Sequence, residues 1–155
     1  MTSDQSPLRI ANSGSFELAL SPHEAFDLFT AEGERLWVPG WSPTILGDLP
    51  QHPGLVFLTE ASGRQTIWTV IDSDWAALRH CYSRVTPGVS AGTVEVQLRP
   101  TESGSEVIVS YDLTALSAQG EAALEGYADP HFAEMMDEWR SLIEAMLDGQ
   151  EAAAT

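Results

Sequence analysis

Lysine is absent from this chain: all seven basic residues are arginine, set against 23 aspartate and glutamate residues. Without lysine, the chain has no amine to form a Schiff base with a carbonyl compound or to hold a nucleotide phosphate in a P-loop. The net charge of −16 repels nucleic acid backbones, which their binding proteins neutralise with basic side chains. We therefore expect no nucleic acid partner.

Cysteine is almost absent, and the single Cys81 excludes an internal disulfide. The four histidines at positions 23, 52, 80 and 131 are scattered, with no HExxH motif and no Cys/His cluster. The chain also lacks a GxSxG elbow and a glycine loop of the kind that cradles phosphate. We predict no metal site and no cofactor.

Long apolar runs are missing as well: none approaches the roughly 20 residues that span a bilayer. The start, MTSDQSPLRIANSGS, has neither the basic region nor the apolar region of a signal peptide. At 155 residues the chain has the length of one domain. The sequence thus predicts a cytoplasmic, single-domain protein without a membrane span, either a monomer or a homodimer.

The first half of the chain contains one strand signal and two helix signals. Alternation in FELAL predicts a strand over about residues 10–20. Ser21, Pro22 and Glu24 have the spacing of a capping box with proline at the first helical position. The stretch AEGERLW predicts a second short helix, ended by the Pro-Gly pair at 39–40.

The region 42–114 reads as strands separated by clusters of turn residues. Because the connections are too short for parallel crossovers, the sheet is predicted to be antiparallel. The six segments are SPTILGDL, GLVFLTE, RQTIWTVID, ALRHCYSRVT, GTVEVQLRP and EVIVSYDLT.

The C-terminal region predicts a long amphipathic helix over 130–148, stopped by Gly149. One stripe at helical spacing carries apolar and aromatic residues, and acidic residues occupy the opposite face. The predicted inner stripe consists of His131, Met135, Trp139, Leu142 and Met146, with Phe132, Met136 and Ile143 beside it.

This order of elements resembles the α+β helix-grip fold of the START/Bet v 1-like (SRPBCC) superfamily, in particular its polyketide cyclase/dehydratase-like bacterial branch of unassigned activity. The resemblance rests on SPHEAFDLF followed by ERLWVPGW, on IWTVID, on RVTPGVSAGTVEVQL leading into VIVSYDLTALS, and on HFAEMMDEWRSLIEAML. It implies a curved antiparallel sheet of about seven strands around the last helix. The domain would cover 10–148, between a mobile N-terminus at 1–9 and a frayed tail at 149–155.

The resemblance also implies an apolar cavity between the sheet and the last helix. Trp37 and Trp41 would lie near its mouth, where they either pack as core residues or stack on a flat ligand; the two roles are compatible. The predicted ligand-binding residues are Trp37, Trp41, Trp68, Tyr82, Arg84, Tyr111, His131, Met135 and Trp139.

Arg84 is the charge of greatest interest. His80, Tyr82 and Arg84 share one face of their strand by period two, but alternation alone leaves open which face is interior. We favour the interpretation in which this face points inward, so that Arg84 can fork onto a carboxylate or enolate oxygen.

Two functions from different classes follow. In the first, the cavity binds a small apolar or aromatic molecule. In the second, the protein is a cyclase- or dehydratase-type enzyme in which His131, Tyr82 and Arg84 act as acid/base, donor and oxyanion clamp; the other role open to His131 is that of a hydrogen-bonded core or rim residue. A co-chaperone-like interaction domain is a further alternative, by family analogy alone.

Overall fold

The computed structural model describes residues 8–154, and side chains up to residue 150. Most of the segment 1–9 that the sequence predicts to be mobile therefore lies outside the described residues. The strands are β1 (Arg9–Leu18), β2 (Thr44–Leu46), β3 (Val56–Ala61), β4 (Arg64–Asp74), β5 (Arg79–Thr86), β6 (Ser90–Thr101) and β7 (Gly104–Ala115). The helices are α1 (Pro22–Phe26), α2 (Ala118–Leu124) and α3 (His131–Ala154), with 3₁₀ turns at Asp27–Phe29, Gly33–Leu36 and Glu125–Tyr127.

The strands form one antiparallel sheet of seven strands in the order β1-β7-β6-β5-β4-β3-β2. Burial alternates along β7, where every second residue from Ser105 to Ala115 is buried. This is the pattern of a sheet with one face on a core and one toward solvent. The predicted antiparallel sheet and the α+β helix-grip class are confirmed.

Helix α3 crosses the inner face of the sheet, and at 24 residues it is about 36 Å long. Phe132, Met136 and Ile143 are buried beneath it. Gly14 on β1 lets the helix approach closely, because a Cβ at that position would lie 2.9 Å from Cγ of Met136. Among the described residues, no helix has the length and apolar character needed to cross a bilayer.

The segment after β1 begins as the sequence predicts but is less helical. Ser21 and Glu24 form the predicted capping box at the start of α1. The predicted second helix is instead a 3₁₀ turn, Gly33–Leu36. The turn packs so tightly on the preceding one that a Cβ at Gly33 would lie 1.8 Å from the carbonyl oxygen of Asp27, and the hydroxyl of Thr30 bridges the two turns by accepting from the Gly33 amide.

Helix α3 continues past Gly149, where the sequence predicts its end, and reaches Ala154. A glycine in a helix costs only about 1 kcal/mol relative to alanine, and the following EAAA consists of strong helix formers. The glycine is therefore accommodated within the helix.

Candidate functional site

A cavity of about 550 Å³ lies where β3, β4, β5 and β7 face the 34–41 segment and helix α3. The cavity opens to solvent between the 34–41 segment and the end of β3, because exposed residues at both places line it: Pro39, Gly40, Glu60 and Ala61. Five aromatic residues line it: Trp37, Trp41, Trp68, Tyr111 and Trp139.

The two tryptophans of RLWVPGW are anchored through their indole N–H groups. Trp37 donates to the carbonyl oxygen of Leu28 and Trp41 to that of Ala31, both at 2.8 Å. Gly40 has φ of +73°, a left-handed conformation that glycine adopts without strain and that lets the chain turn between them. Trp37 is only 5% exposed and still lines the cavity. Trp37 and Trp41 therefore pack against the hydrophobic core and also line the cavity.

Aromatic contacts continue around the cavity. The ring centroids of Trp37 and Trp139 of α3 lie 5.5 Å apart, and those of Trp41 and Trp68 of β4 lie 5.9 Å apart; both pairs have edge-to-face geometry. The indole of Trp68 donates to the hydroxyl of Thr59 at 2.9 Å and stacks on Phe57. Because the ring positions are set by hydrogen bonds and neighbouring rings, the wall is preorganised rather than flexible.

Arg84 lies on the inner face of β5, as the interpretation favoured above requires, and lines the cavity. Its guanidinium carbon is 5.6 Å from the ring centroids of both Trp68 and Tyr127, and one N–H group donates to the Tyr127 hydroxyl at 3.1 Å. On the other side of Arg84 the strand partner is Gly92, which adds no side chain to the inner face. The guanidinium therefore lies against the rings of Trp68 and Tyr127 and also faces the cavity.

Glu34 also lines the cavity, and the sequence analysis did not select it. Burial raises the pKa of its carboxyl group to about 8, since protein atoms replace the water that would solvate the charged form. Burial raises the pKa of the neighbouring Tyr111 phenol, and the charges of Tyr127 and Glu34 raise it further against the opposing charge of Arg84. A usable signal was present: Glu34 precedes Trp37 by three residues and Val38 by four, which is the spacing of one helical face.

Tyr82 points inward but does not reach the cavity, which corrects its predicted place among the lining residues. Its hydroxyl donates to the carbonyl oxygen of Phe29 and accepts from the amide of Gln51 at 2.9 Å. The same amide donates to Ser73, whose hydroxyl lies 2.8 Å from Nδ1 of the fully buried His80. Tyr82 is thus part of a closed polar network behind the cavity wall.

His131 is wrongly placed by the sequence analysis: its side chain is 61% exposed and lies 3.4 Å from Glu134 on the outer surface of α3. The buried stripe is centred on Phe132, Met136 and Ile143, and at about 100° per residue His131 points roughly 120° away from that direction. The predicted trio of His131, Tyr82 and Arg84 does not converge on one space.

Seven of the nine predicted ligand-binding residues line the cavity; that they contact a ligand stays a prediction. They are Trp37, Trp41, Trp68, Arg84, Tyr111, Met135 and Trp139. Among the residues that the structure describes, no three His, Cys, Asp or Glu side chains form a cluster able to hold a metal ion.

Comparison with known proteins gives matches only at the level of structure. No protein-family model matches the chain, and no curated protein matches it in sequence. Norcoclaurine synthase from Thalictrum flavum, solved in complex with dopamine and hydroxybenzaldehyde, superimposes with a TM-score of 0.64 at 14% identity, covering 90% of this chain and 89% of that one. Ara h 8.0201 has a TM-score of 0.66 at 14% identity, covering 90% of this chain and 99% of its own. The chain therefore shares the helix-grip fold of these two proteins.

A protein of the same fold from Rhodobacter sphaeroides shares 20% identity at a TM-score of 0.61, with 94% of this chain and 93% of that one covered. At such identities the likeness establishes the fold alone. The chemistry of the site has to be argued from this chain's own residues.

Proposed function

We propose that this protein binds a small apolar or aromatic molecule in the cavity between the sheet and helix α3. The observation that carries the proposal is the cavity itself: about 550 Å³, walled by five aromatic rings on three sides. Sites for small molecules usually measure 300–1,000 Å³ and combine an apolar lining with a few polar groups. The structure of norcoclaurine synthase with two small aromatic molecules supports the proposal by analogy of fold.

The fluorescent naphthalene derivative N-phenyl-1-naphthylamine tests this function, since it is uncharged and its emission rises in apolar surroundings. We expect saturable binding with one site per chain. In Ala61→Trp, a bulky side chain at the exposed edge of the cavity should lower the affinity at least tenfold. Ala76→Trp is the matched control, because Ala76 is also exposed but does not line the cavity. Absence of saturable binding, or equal loss in both variants, would contradict the proposal.

An enzymatic function of the cyclase or dehydratase class is a second candidate, favoured by Glu34 rather than by His131. A partly buried carboxyl group whose pKa is raised to about 8 carries its proton at neutral pH and releases it just above, the property of an acid–base catalyst. Arg84 lines the same cavity and would stabilise an enolate oxygen. The interaction-domain alternative stays a prediction from family analogy.

Exchange of α-protons in 2-tetralone, an enolisable aromatic ketone, tests this second candidate. In D₂O the ionised form of Glu34 would take an α-proton and the enolate charge would lie against Arg84. The Glu34 carboxyl group would then exchange its proton for a deuteron from solvent and return that deuteron to carbon. NMR should show exchange faster than in buffer for the parent protein and at the buffer rate for Glu34→Gln. Equal rates for the parent and Glu34→Gln would exclude Glu34 as the acid–base group.

A further inference from the structure

Arg84 stands out among the arginines because it combines a place in an aromatic cavity with the lack of a carboxylate partner. Four of the seven arginines lie within 4.0 Å of an acidic side chain: Arg9, Arg35, Arg79 and Arg140. Among the residues whose side chains the structure describes, no acidic group forms such a pair with Arg84, although Arg84 is half-buried. Partial burial of an unpaired charge costs free energy that an anion in the cavity would return.

The hydrogen-bonding capacity of Arg84 points the same way. A guanidinium has five N–H donors in a planar fork, and the contact to Tyr127 engages one of them. The ring centroids of Trp68 and Tyr127 each lie 5.6 Å from the guanidinium carbon, and these cation–π contacts restrict the orientation of the guanidinium. A fork held in this way matches the two oxygens of a carboxylate.

The other charged groups around the cavity do not cancel this preference at neutral pH. Glu60 on β3 and Glu138 on α3 line the cavity but are exposed, where water and salt screen their charges. Glu34, on the 3₁₀ turn, is predominantly protonated at pH 7 because its pKa is raised to about 8. Tyr111 on β7 stays neutral, since burial raises the pKa of its phenol. The inner part of the cavity therefore carries the positive charge of Arg84.

We infer that the ligand is a planar aromatic carboxylate, with its rings among the tryptophans and its carboxylate paired with Arg84. This inference rests on the proposed ligand-binding function and narrows it from apolar or aromatic molecules in general to aromatic anions. It also assigns Glu34 a role in ligand choice: its neutral form tolerates the anion, and its ionised form repels it.

Calorimetric titration with 2-naphthoate and 2-naphthamide tests the inference, because the two probes have nearly the same shape and differ in charge. At pH 7 we expect the parent protein to bind the carboxylate at least tenfold more tightly than the amide. Arg84→Gln should remove that preference, and Arg84→Lys should restore only part of it, since lysine has the charge without the fork. In Glu34→Gln, the preference should persist at pH 9, where the parent loses it.

The outcomes separate this inference from the function on which it rests. If N-phenyl-1-naphthylamine binds but the parent protein binds carboxylate and amide equally, the cavity binds apolar molecules and the anion inference is wrong. Equal weakening of both probes in Arg84→Gln would also overturn it, because Arg84 would then only pack. If none of the three probes binds, the proposed function is wrong as well. The comparison on the parent protein needs no variant to fold.

Discussion

Strand β5 presents two polar sites on the same inner face, one at His80 and Tyr82 and the other two residues further on, at Arg84. In the first site, His80 and Tyr82 both have protein partners: the imidazole contacts Ser73 and the carbonyl oxygen of Phe26, and Gln51 donates to both Ser73 and Tyr82. In the second, Arg84 has two aromatic neighbours and one neutral hydrogen-bond partner, beside an open cavity. The first site is closed and the second is open.

Inward-pointing polar residues on one strand can therefore serve two purposes. A buried network of paired polar groups holds separate elements together, here β5 with the end of α1, the 3₁₀ turn that follows it and the loop at Gln51. A polar group beside a cavity, with donors to spare, is available to a molecule that enters. We expect substitutions in the closed site to change stability and those in the open site to change binding.

The largest effect is expected for His80→Ala, at about 3 kcal/mol of lost unfolding free energy. The variant leaves a cavity at a fully buried position and removes the partner of both Ser73 and the Phe26 carbonyl. Urea denaturation followed by tryptophan fluorescence measures it. A loss below about 1 kcal/mol would show that the network is not closed as described.

The same variant gives a pH test. Burial lowers the pKa of His80, opposed by the Phe26 carbonyl and the charges of Asp27 and Asp72, so the unfolded chain binds the proton more strongly than the folded protein. The stability that neutral His80 provides is therefore present above about pH 6.5, its unfolded pKa, and declines as the pH falls. The stability gap between the parent and His80→Ala should narrow from pH 7 to pH 5; a constant gap would contradict the burial of a neutral imidazole.

Tyr82→Phe is expected to cost about 1–2 kcal/mol, because it leaves the Phe29 carbonyl without its partner and the Gln51 amide with Ser73 alone, while the ring volume is kept. Affinity for N-phenyl-1-naphthylamine, measured on the folded variant, should match the parent. A large loss of affinity at unchanged stability would place Tyr82 in the open site after all.

Glu34→Gln should alter stability in a pH-dependent way, by about 1 kcal/mol or more in alkaline solution. The folded pKa of about 8 lies above 4.5, the ordinary value for a glutamate side chain, so the folded protein holds a proton that the unfolded chain has lost. The parent therefore loses stability as the pH rises from about 4.5 to 8, and the glutamine variant does not. Thermal unfolding of both proteins at pH 5 and pH 9 checks this, and a difference between them that does not change with pH would contradict it.

Arg84→Gln should have the smallest effect on stability, about 0.5 kcal/mol, since it removes one hydrogen bond to a phenol and two cation–π contacts at a half-buried site. Urea denaturation is again the measurement. A loss as large as that of His80→Ala would mean that Arg84 belongs to the structural network, and the contrast between the two sites would fail.

Much of the fold follows from local patterns. The capping box at Ser21 and Glu24 and the alternation along β7 each depend on neighbouring residues, and each forms as predicted. The last helix is amphipathic as predicted, but its buried stripe is centred on Phe132, Met136 and Ile143. His131 shows the limit of the same reasoning: positions at the edge of a helical stripe are buried only where another element covers them.

The candidate site was accessible from the sequence only in part. Trp139 was selected from the predicted inner stripe of the last helix, and Trp37 from the cavity mouth that the family resemblance implies; both line the cavity. Trp68 was selected as an aromatic residue on a strand, although alternation left its face open, and it lines the cavity as well. Tyr82 and Arg84 have the same period and face, and nothing local tells which of them meets a backbone carbonyl and which meets open space. Glu34 appeared to be one more acidic residue of an acidic chain.

The order of the elements and their amphipathic faces follow from residue type and spacing along the chain alone. The same holds for the exclusion of a lysine Schiff base and of a P-loop lysine. Only the tertiary structure decided which polar side chains are satisfied and which carboxyl group is desolvated. Hydrogen bonding and desolvation depend on atoms that are distant in sequence, such as Gln51 beside Tyr82 and Tyr127 beside Arg84.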